Sequence, residues 1–212
     1  MGFRMYSFTT DWFAQTAESN WAKLLPEIRP SRILEIGSFE GASTCYLIDT
    51  LASTCPLEIH CIDTWDGGIE HKEGGTAPSD MKAVESRFKI NTEKAVSQAI
   101  HQVDLHVHKN LSHRALARLL ADGGDNYFDF IYVDGSHQAP DVLCDAVLAF
   151  KLLKVGGTMV FDDYLWTNEL TSAAEILKCP KPAIDAFVNI HFQKLRVLKM
   201  PLYQLYLQKL ID

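Results

Sequence analysis

Apolar positions along this chain switch repeatedly between helical spacing and short continuous runs. From Asp11 to Glu27, Phe13, Ala17, Trp21, Leu24 and Ile28 fall on one helical face, with Thr10 or Asp11 placed to cap the start and Pro30 beyond the end. Arg32–Ile36 is a compact apolar run stopped by Gly37 and predicts a buried strand. A helix is expected from Gly41 to Ala52, then a strand over Leu57–Ile62 that delivers Asp63. Thr64 to Pro78 holds four glycines and no period, so it predicts a loop. A helix from Ser79 to Ile100 follows, with Met81, Val84, Phe88 and Ile90 as its apolar contacts, then a strand over Val103–Val107 and a helix from Ser112 to Ala121.

The second half continues the alternation. Phe128–Val133 predicts a strand ending at Asp134, and Val142, Ala146, Val147, Phe150 and Leu153 keep helical spacing after it. Gly156 and Gly157 are expected to stop that helix and open a strand that ends at Asp162. Pro180 and Pro182 precede a short helix, Ala183–Ile190. Two closing strands, Leu195–Leu198 and Leu202–Leu207, are split by Pro201, with Tyr203, Leu205 and Leu207 on one face. Strands alternating with helices imply a mostly parallel α/β sheet covered on both faces, and the closing pair reads as an antiparallel edge. With no repeat, low-complexity tract or linker, residues 1–212 read as one domain: an N-terminal helical segment, 1–30, and a core, 31–212.

Composition narrows the partners. The formal charge of −7 and the lack of a basic stripe argue against nucleic acid. Five cysteines without a C-x-x-C pair do not form a disulfide framework, and Cys45, Cys61 and Cys144 read as small reduced core residues. The N-terminus lacks an apolar signal segment, Tyr6 stands where a myristoylation motif needs Ser or Thr, and no run reaches transmembrane length. A cytoplasmic protein without a membrane partner is expected; self-association into a homo-oligomer stays open.

Candidate chemistry gathers at the strand ends. Asp134-Gly-Ser-His137 and Asp162-Asp163 would bring three carboxylates and an imidazole to one crevice. Hard oxygen donors suit Mg²⁺ or a similar divalent cation, and a histidine beside them suits a general base. Singly, each aspartate reads as a structural turn residue rather than a functional one; their shared placement is what suggests a site. The first strand ends in Glu35-Ile-Gly37-Ser-Phe-Glu-Gly41-Ala-Ser43, whose glycines allow a ligand close to the backbone and whose following helix offers free N–H groups. Asp63 can accept both hydroxyls of a ribose, so a nucleoside-bearing ligand is expected. The turn lacks the second glycine of the dinucleotide fingerprint, which disfavours an NAD enzyme. His106 and His108 alternate along a strand without a third ligand and read as surface or half-buried; His60 and Cys61 face opposite sides and cannot chelate together. Trp65 and Trp166 follow motif residues and favour a pocket, whereas Trp12, Phe13 and Trp21 read as packing of the first helix.

With these motifs in view, the chain from Ile33 onward resembles the class I S-adenosylmethionine-dependent methyltransferases. Ile62-Asp-Thr-Trp-Asp-Gly-Gly68, Asp134-Gly-Ser-His137, Leu153-Lys-Val-Gly-Gly157 and Phe161-Asp-Asp-Tyr164 are similar to the macrocin-type, metal-dependent small-molecule O-methyltransferases. The resemblance implies a Rossmann-like, mostly parallel seven-stranded sheet with an antiparallel C-terminal strand. It implies that Glu35, Gly37, Ser38, Gly41 and Ser43 shape the methionine pocket, that Asp63 holds the ribose, and that Thr64, Trp65 and the Asn110-Leu-Ser112 turn border the adenine. It further implies that Asp134, shared with the cofactor site, joins Asp162 and Asp163 as metal ligands, and that His137 is the catalytic base. The expected reaction is O-methylation of a small molecule such as a sugar, polyketide or polyhydroxylated aromatic. A metal-independent methyltransferase acting on nitrogen, a carboxylate or a protein, and a non-catalytic nucleotide-binding protein, remain the alternatives. Acceptor choice falls to the loops Thr64–Pro78 and Tyr164–Lys178.

Overall fold

The computed structural model describes residues 6–167 and 173–212, with the side chains of residues 173–175 also outside the description. Residues 1–5, and residues 168–172 within the expected Tyr164–Lys178 loop, therefore lie outside the described residues. In chain order the elements are α1 (Trp12–Thr16), α2 (Glu18–Ile28), β1 (Arg32–Ile36), α3 (Ala42–Leu51), β2 (Leu57–Asp63), α4 (Met81–Ser97) and β3 (Val103–Lys109). There follow α5 (Ser112–Ala121), β4 (Phe128–Val133), α6 (Ala139–Leu152), β5 (Leu153–Phe161), α7 (Lys181–Ile190), β6 (Leu195–Val197) and β7 (Leu205–Lys209). The strands form one sheet in the order β3-β2-β1-β4-β5-β7-β6. Pairing is parallel from β3 to β5, and β7 runs antiparallel to both of its neighbours.

Strands β1 and β4 are buried along almost their whole length, as expected where helices cover both faces of a sheet. One apolar layer packs Leu34, Ile131 and Phe161 against α5, α6 and α7. The other packs Ile33, Ile59 and Phe130 against α2, α3 and α4. Trp21 is fully buried in that second layer, edge-on to Phe130 at 5.3 Å and to Tyr132 at 4.8 Å. Truncating such a side chain costs about 3–5 kcal/mol.

Several boundaries differ from the sequence pattern, each for a local reason. The single helix expected over Asp11–Glu27 is two, broken at Ala17, so that Trp21 can point at the sheet while Trp12 stands over the pocket. Neither Thr10 nor Asp11 caps α1; the Asp11 carboxylate accepts from Gln15 Nε2 at 2.7 Å instead. Helix α6 ends at Leu152, before the glycines, because Leu153 turns extended and pairs with Phe128. Gly156 and Gly157 lie inside β5, where the register to β4 shifts, and a Cβ on Gly157 would lie 3.0 Å from the Asp129 carbonyl. Ile90 and Val147 are exposed. In place of Ile90 the buried face of α4 presents Asn91, whose side chain holds Ser7 N–H at 2.9 Å and the Glu40 carbonyl at 3.1 Å. That amide ties the N-terminal segment to the body. Cys45 and Cys61 are buried as expected, Cys144 is exposed rather than a core residue, and none of the five cysteines forms a disulfide. Among the described residues, no helix is long and apolar enough to cross a membrane.

Asp145 is the least expected core residue. It is buried on α6, with one carboxylate oxygen unpartnered and a hydrogen bond from Ser112. Burial raises its pKa to about 7 despite the Ser112 contact, and the nearby Asp141 adds to the rise. Between roughly pH 4 and 7 the folded chain then holds a proton that the unfolded chain releases, so this residue makes stability fall as pH rises through that window. The penalty at pH 8 is on the order of 4 kcal/mol. Asp145→Asn is expected to raise the urea midpoint at pH 8 and change it little at pH 4; equal effects at both pH values would contradict this.

Candidate active site

The sheet ends on a row of hydrogen bonds that continues its ladder. Asn110 N–H donates to the Asp63 carbonyl at 3.1 Å, Gly37 N–H to Ile62 at 2.8 Å, Asp134 N–H to Ile36 at 2.7 Å and Asp162 N–H to Val133 at 3.0 Å. Five motif residues from five adjacent strands are thereby set side by side at the carboxyl end of the sheet. Strand order reverses between β1 and β4, the place where open α/β sheets take ligands. A pocket of about 700 Å³ opens there, lined by Gly37, Ser38, Ser43, Asp63, Thr64, Ser112, Asp134, His137, Asp162 and Asp163. Glu35, Gly41 and Trp65 do not line it; they stand behind its wall.

Behind the wall, Glu35 is fully buried and accepts from Ser38 and Ser43 hydroxyls at 2.6 Å each and from the Thr44 hydroxyl. Burial pushes its pKa up, and these hydroxyls partly offset the rise. The carboxylate thus fixes the loop after β1 from beneath. Gly37, at φ +86°, lets that loop touch the next: a Cβ there would lie 1.9 Å from the Asp134 carbonyl oxygen. Asp63 accepts from the Ser38 and Phe39 amides at 2.9 Å each and from the Trp65 amide at 2.7 Å. A carboxylate has further lone pairs, so it can brace the loop and still receive a diol. Trp65 is buried against Phe88 with its indole N–H on the Phe39 carbonyl at 2.9 Å.

The acidic end is organised by residues the sequence pattern did not single out. The buried Tyr132 hydroxyl is shared between Asp134 Oδ2, at 3.0 Å, and Asp162 Oδ2. Gln204 Nε2 donates to Asp162 Oδ1 at 3.1 Å, and Tyr203 donates to Asp163 Oδ1 at 2.9 Å. His137 Nε2 lies 2.8 Å from Asp163 Oδ2, its Nδ1 is buried without a partner, and its ring sits 4.2 Å from that of Trp166. Desolvation raises the pKa of Asp134 and Asp162, and repulsion among the carboxylates raises both further. Desolvation lowers His137, but the Asp163 hydrogen bond and charge outweigh it and leave the pKa raised. The three carboxylates share the pocket without closing into a compact ligand set, because Tyr132 stands between two of them and Asp163 faces His137 and Tyr203.

Glu40 is a further residue that pattern reading passed over. It is buried in the pocket wall, pairs with Arg87 Nε at 2.5 Å and accepts from the Thr9 amide and hydroxyl at 2.6 and 2.7 Å. With Asn91 it anchors the N-terminal segment, so Phe8, Thr10 and Trp12 roof the pocket. Only the N-terminal aromatic cluster hinted at this.

Residues 34–164 match the model of a family described as a methyltransferase domain. The chain belongs to this family. An uncharacterized protein of Acanthamoeba polyphaga mimivirus is 32% identical over 131 residues, 62% of this chain and 50% of that protein. The matched part thus spans about half the length of that relative. An O-methyltransferase from Bacillus cereus, solved in complex with SAH, superposes with a TM-score of 0.62 at 17% identity, over 97% of this chain and 84% of its own. TomG, an O-methyltransferase of Streptomyces achromogenes involved in tomaymycin synthesis and solved with SAM, gives 0.58 at 19% identity, over 90% and 77%. The fold is therefore the Rossmann-like class I methyltransferase fold, with the antiparallel strand β7 expected from the resemblance.

In this methyltransferase domain Gly37 is the steric key to the pocket. Gly37→Ala adds a carbon against the Asp134 backbone at a positive φ and should cost about 2–4 kcal/mol. Thermal or urea unfolding measures it, and an unchanged midpoint would refute the close approach.

Proposed function

We propose that the chain transfers a methyl group from S-adenosylmethionine to a hydroxyl oxygen of a small molecule, a sugar, polyketide or polyhydroxylated aromatic, with a divalent cation such as Mg²⁺ at the acidic end. The observation that carries this reading is the junction of two halves in one pocket: the Gly37 loop with Asp63, and the aspartates with His137. The SAH and SAM in the two solved relatives support the donor. The pocket volume is in the range of small-molecule sites. Ala42 and Ser43 bring the amino end of α3 to the pocket, a favourable place for a carboxylate. Five cysteines outside any disulfide fit a reducing, cytoplasmic setting.

S-adenosylmethionine supplies a methyl group already activated on a sulfonium, so the chain's own work is to align two reactants and take up one proton. Asp63 and the loop after β1 hold the donor end. Thr64 and Ser112 border the adenine, with Ser112 set by Asp145. In the neutral form of His137 with Nε2–H donated to Asp163, Nδ1 keeps an unpartnered lone pair; it is buried in this arrangement, so the ring must turn towards the pocket to accept the hydroxyl proton. The roof of Phe8, Thr10 and Trp12 limits water.

Asp134, Asp162 and Asp163 would hold the cation, which supplies Lewis acidity to the acceptor oxygen. Their donor chemistry fits: all three are hard carboxylates lining one pocket, and burial followed by mutual repulsion raises the pKa of Asp134 and Asp162, a cost that a cation would offset. One observation favours a second reading, a metal-independent methyltransferase. The Tyr132 hydroxyl already bridges Asp134 and Asp162, which stabilises the pair without an ion.

Chelation separates the two readings. With a polyhydroxylated acceptor established by screening, removal of divalent ions should lower kcat by at least about 100-fold, and Mg²⁺ should restore it. Undiminished turnover would assign the metal-independent route. His137→Ala should lower kcat by roughly 10²–10⁴-fold; wild-type turnover in that variant would remove its role as base.

A further inference from the structure

A second group of metal-binding side chains lies outside the pocket. On β2, Glu58 and His60 alternate with buried Ile59 and Cys61 and so share one face. Parallel pairing places His106 of β3 directly beside His60, and His108 beside Ile62, on that same face. Along β3 alone the sequence offers two histidines and no third ligand. The cross-strand register supplies the rest.

The geometry is specific. Ligand atoms of Glu58, His60 and His106 all lie within 4.8 Å of one another, and among the described residues no other set of three His, Cys, Asp or Glu side chains does so. His60 Nε2 is 3.0 Å from Glu58 Oε1, and the His60 and His106 ring centres are 4.4 Å apart. Ligands on one tetrahedral zinc ion sit about 3.3 Å apart, so modest side-chain rotation closes the set. The surrounding contacts orient the ligands as second partners do in metal sites. The Tyr127 hydroxyl donates to the Glu58 carboxylate, at 2.9 and 2.8 Å from its two oxygens. His60 Nδ1 lies 2.9 Å from His108 Nε2. With Nδ1–H donated to His108, the lone pair of His60 Nε2 is presented to the space between Glu58 and His106. Phe128 packs edge-on against the His60 ring at 5.2 Å and limits its rotation.

From this arrangement we propose that Glu58, His60 and His106 form a zinc site, with His108 and Tyr127 as orienting partners and the fourth position open to water. Two imidazoles and one carboxylate suit Zn²⁺, whereas Mg²⁺ prefers oxygen ligands alone. None of these residues lines the pocket, so the site is separate from the aspartates and does not depend on the proposed reaction. Its effect is mechanical. Strand β3 is the edge of the sheet and is exposed along much of its length, and an ion ligated from β2 and β3 clamps that edge.

The test is calorimetric titration of the metal-stripped full chain with Zn²⁺, in millimolar Mg²⁺ to occupy hard-oxygen sites. One Zn²⁺ per chain is expected. His106→Ala, an exposed position, and Glu58→Gln should each weaken binding by at least about tenfold, while Asp163→Asn leaves it unchanged. At a hundredfold excess over Kd, Zn²⁺ should raise the Tm of the unsubstituted chain by roughly 5–10 °C and that of His106→Ala by much less. Absence of Zn²⁺ binding, or binding unaltered in both His106→Ala and Glu58→Gln, would overturn the proposal.

Discussion

The structure depends on the parallel register of five strands carried one step past their ends. The amides of Asn110, Gly37, Asp134 and Asp162 each donate to the neighbouring strand, so residues far apart in sequence are spaced at the roughly 4.8 Å interval between strands. Nothing else could bring the loop after β1 against the loop after β4 so closely that only glycine fits at position 37. Once that row is set, the pocket's chemistry is a matter of which side chains it carries.

Those side chains fall into a supported half and a tense half. Around Glu35 and Asp63 nearly every polar atom is matched by a hydroxyl or an amide, and the loop is held rigid before any ligand arrives. Around Asp134 and Asp162 the carboxylates repel one another, share a tyrosine hydroxyl and leave a buried imidazole nitrogen without a partner. Phe39, Trp65 and Asp163, all beside the pocket, adopt positive φ values that non-glycine residues seldom take. Such concentrations of cost persist where a site needs them.

Much of this was legible in the sequence, because strand ends are marked by abrupt changes from apolar to small or acidic residues. The runs closing at Gly37, Asp63, Asp134 and Asp162 placed the motif row correctly. What periodicity could not resolve were relations set across the sheet or between distant segments. Tyr132 looked like one more strand residue, yet its hydroxyl reaches two aspartates. Glu40 and Arg87 are 47 positions apart and meet only because α4 crosses the loop. The expected C-terminal edge pair proved to be split in role: β7 inserts beside β5, leaving β6 at the rim. The histidines of β2 and β3 likewise form a group only through their pairing register.

The central claim is that the row of strand ends forms a site for an adenosyl sulfonium donor, and direct titration of the chain with S-adenosylhomocysteine tests it without knowledge of the acceptor. One-to-one binding is expected, weakened at least about tenfold in Asp63→Asn, where the carboxylate proposed to hold the ribose is lost. Absence of binding to the folded chain, or equal affinity in the variant, would contradict the account.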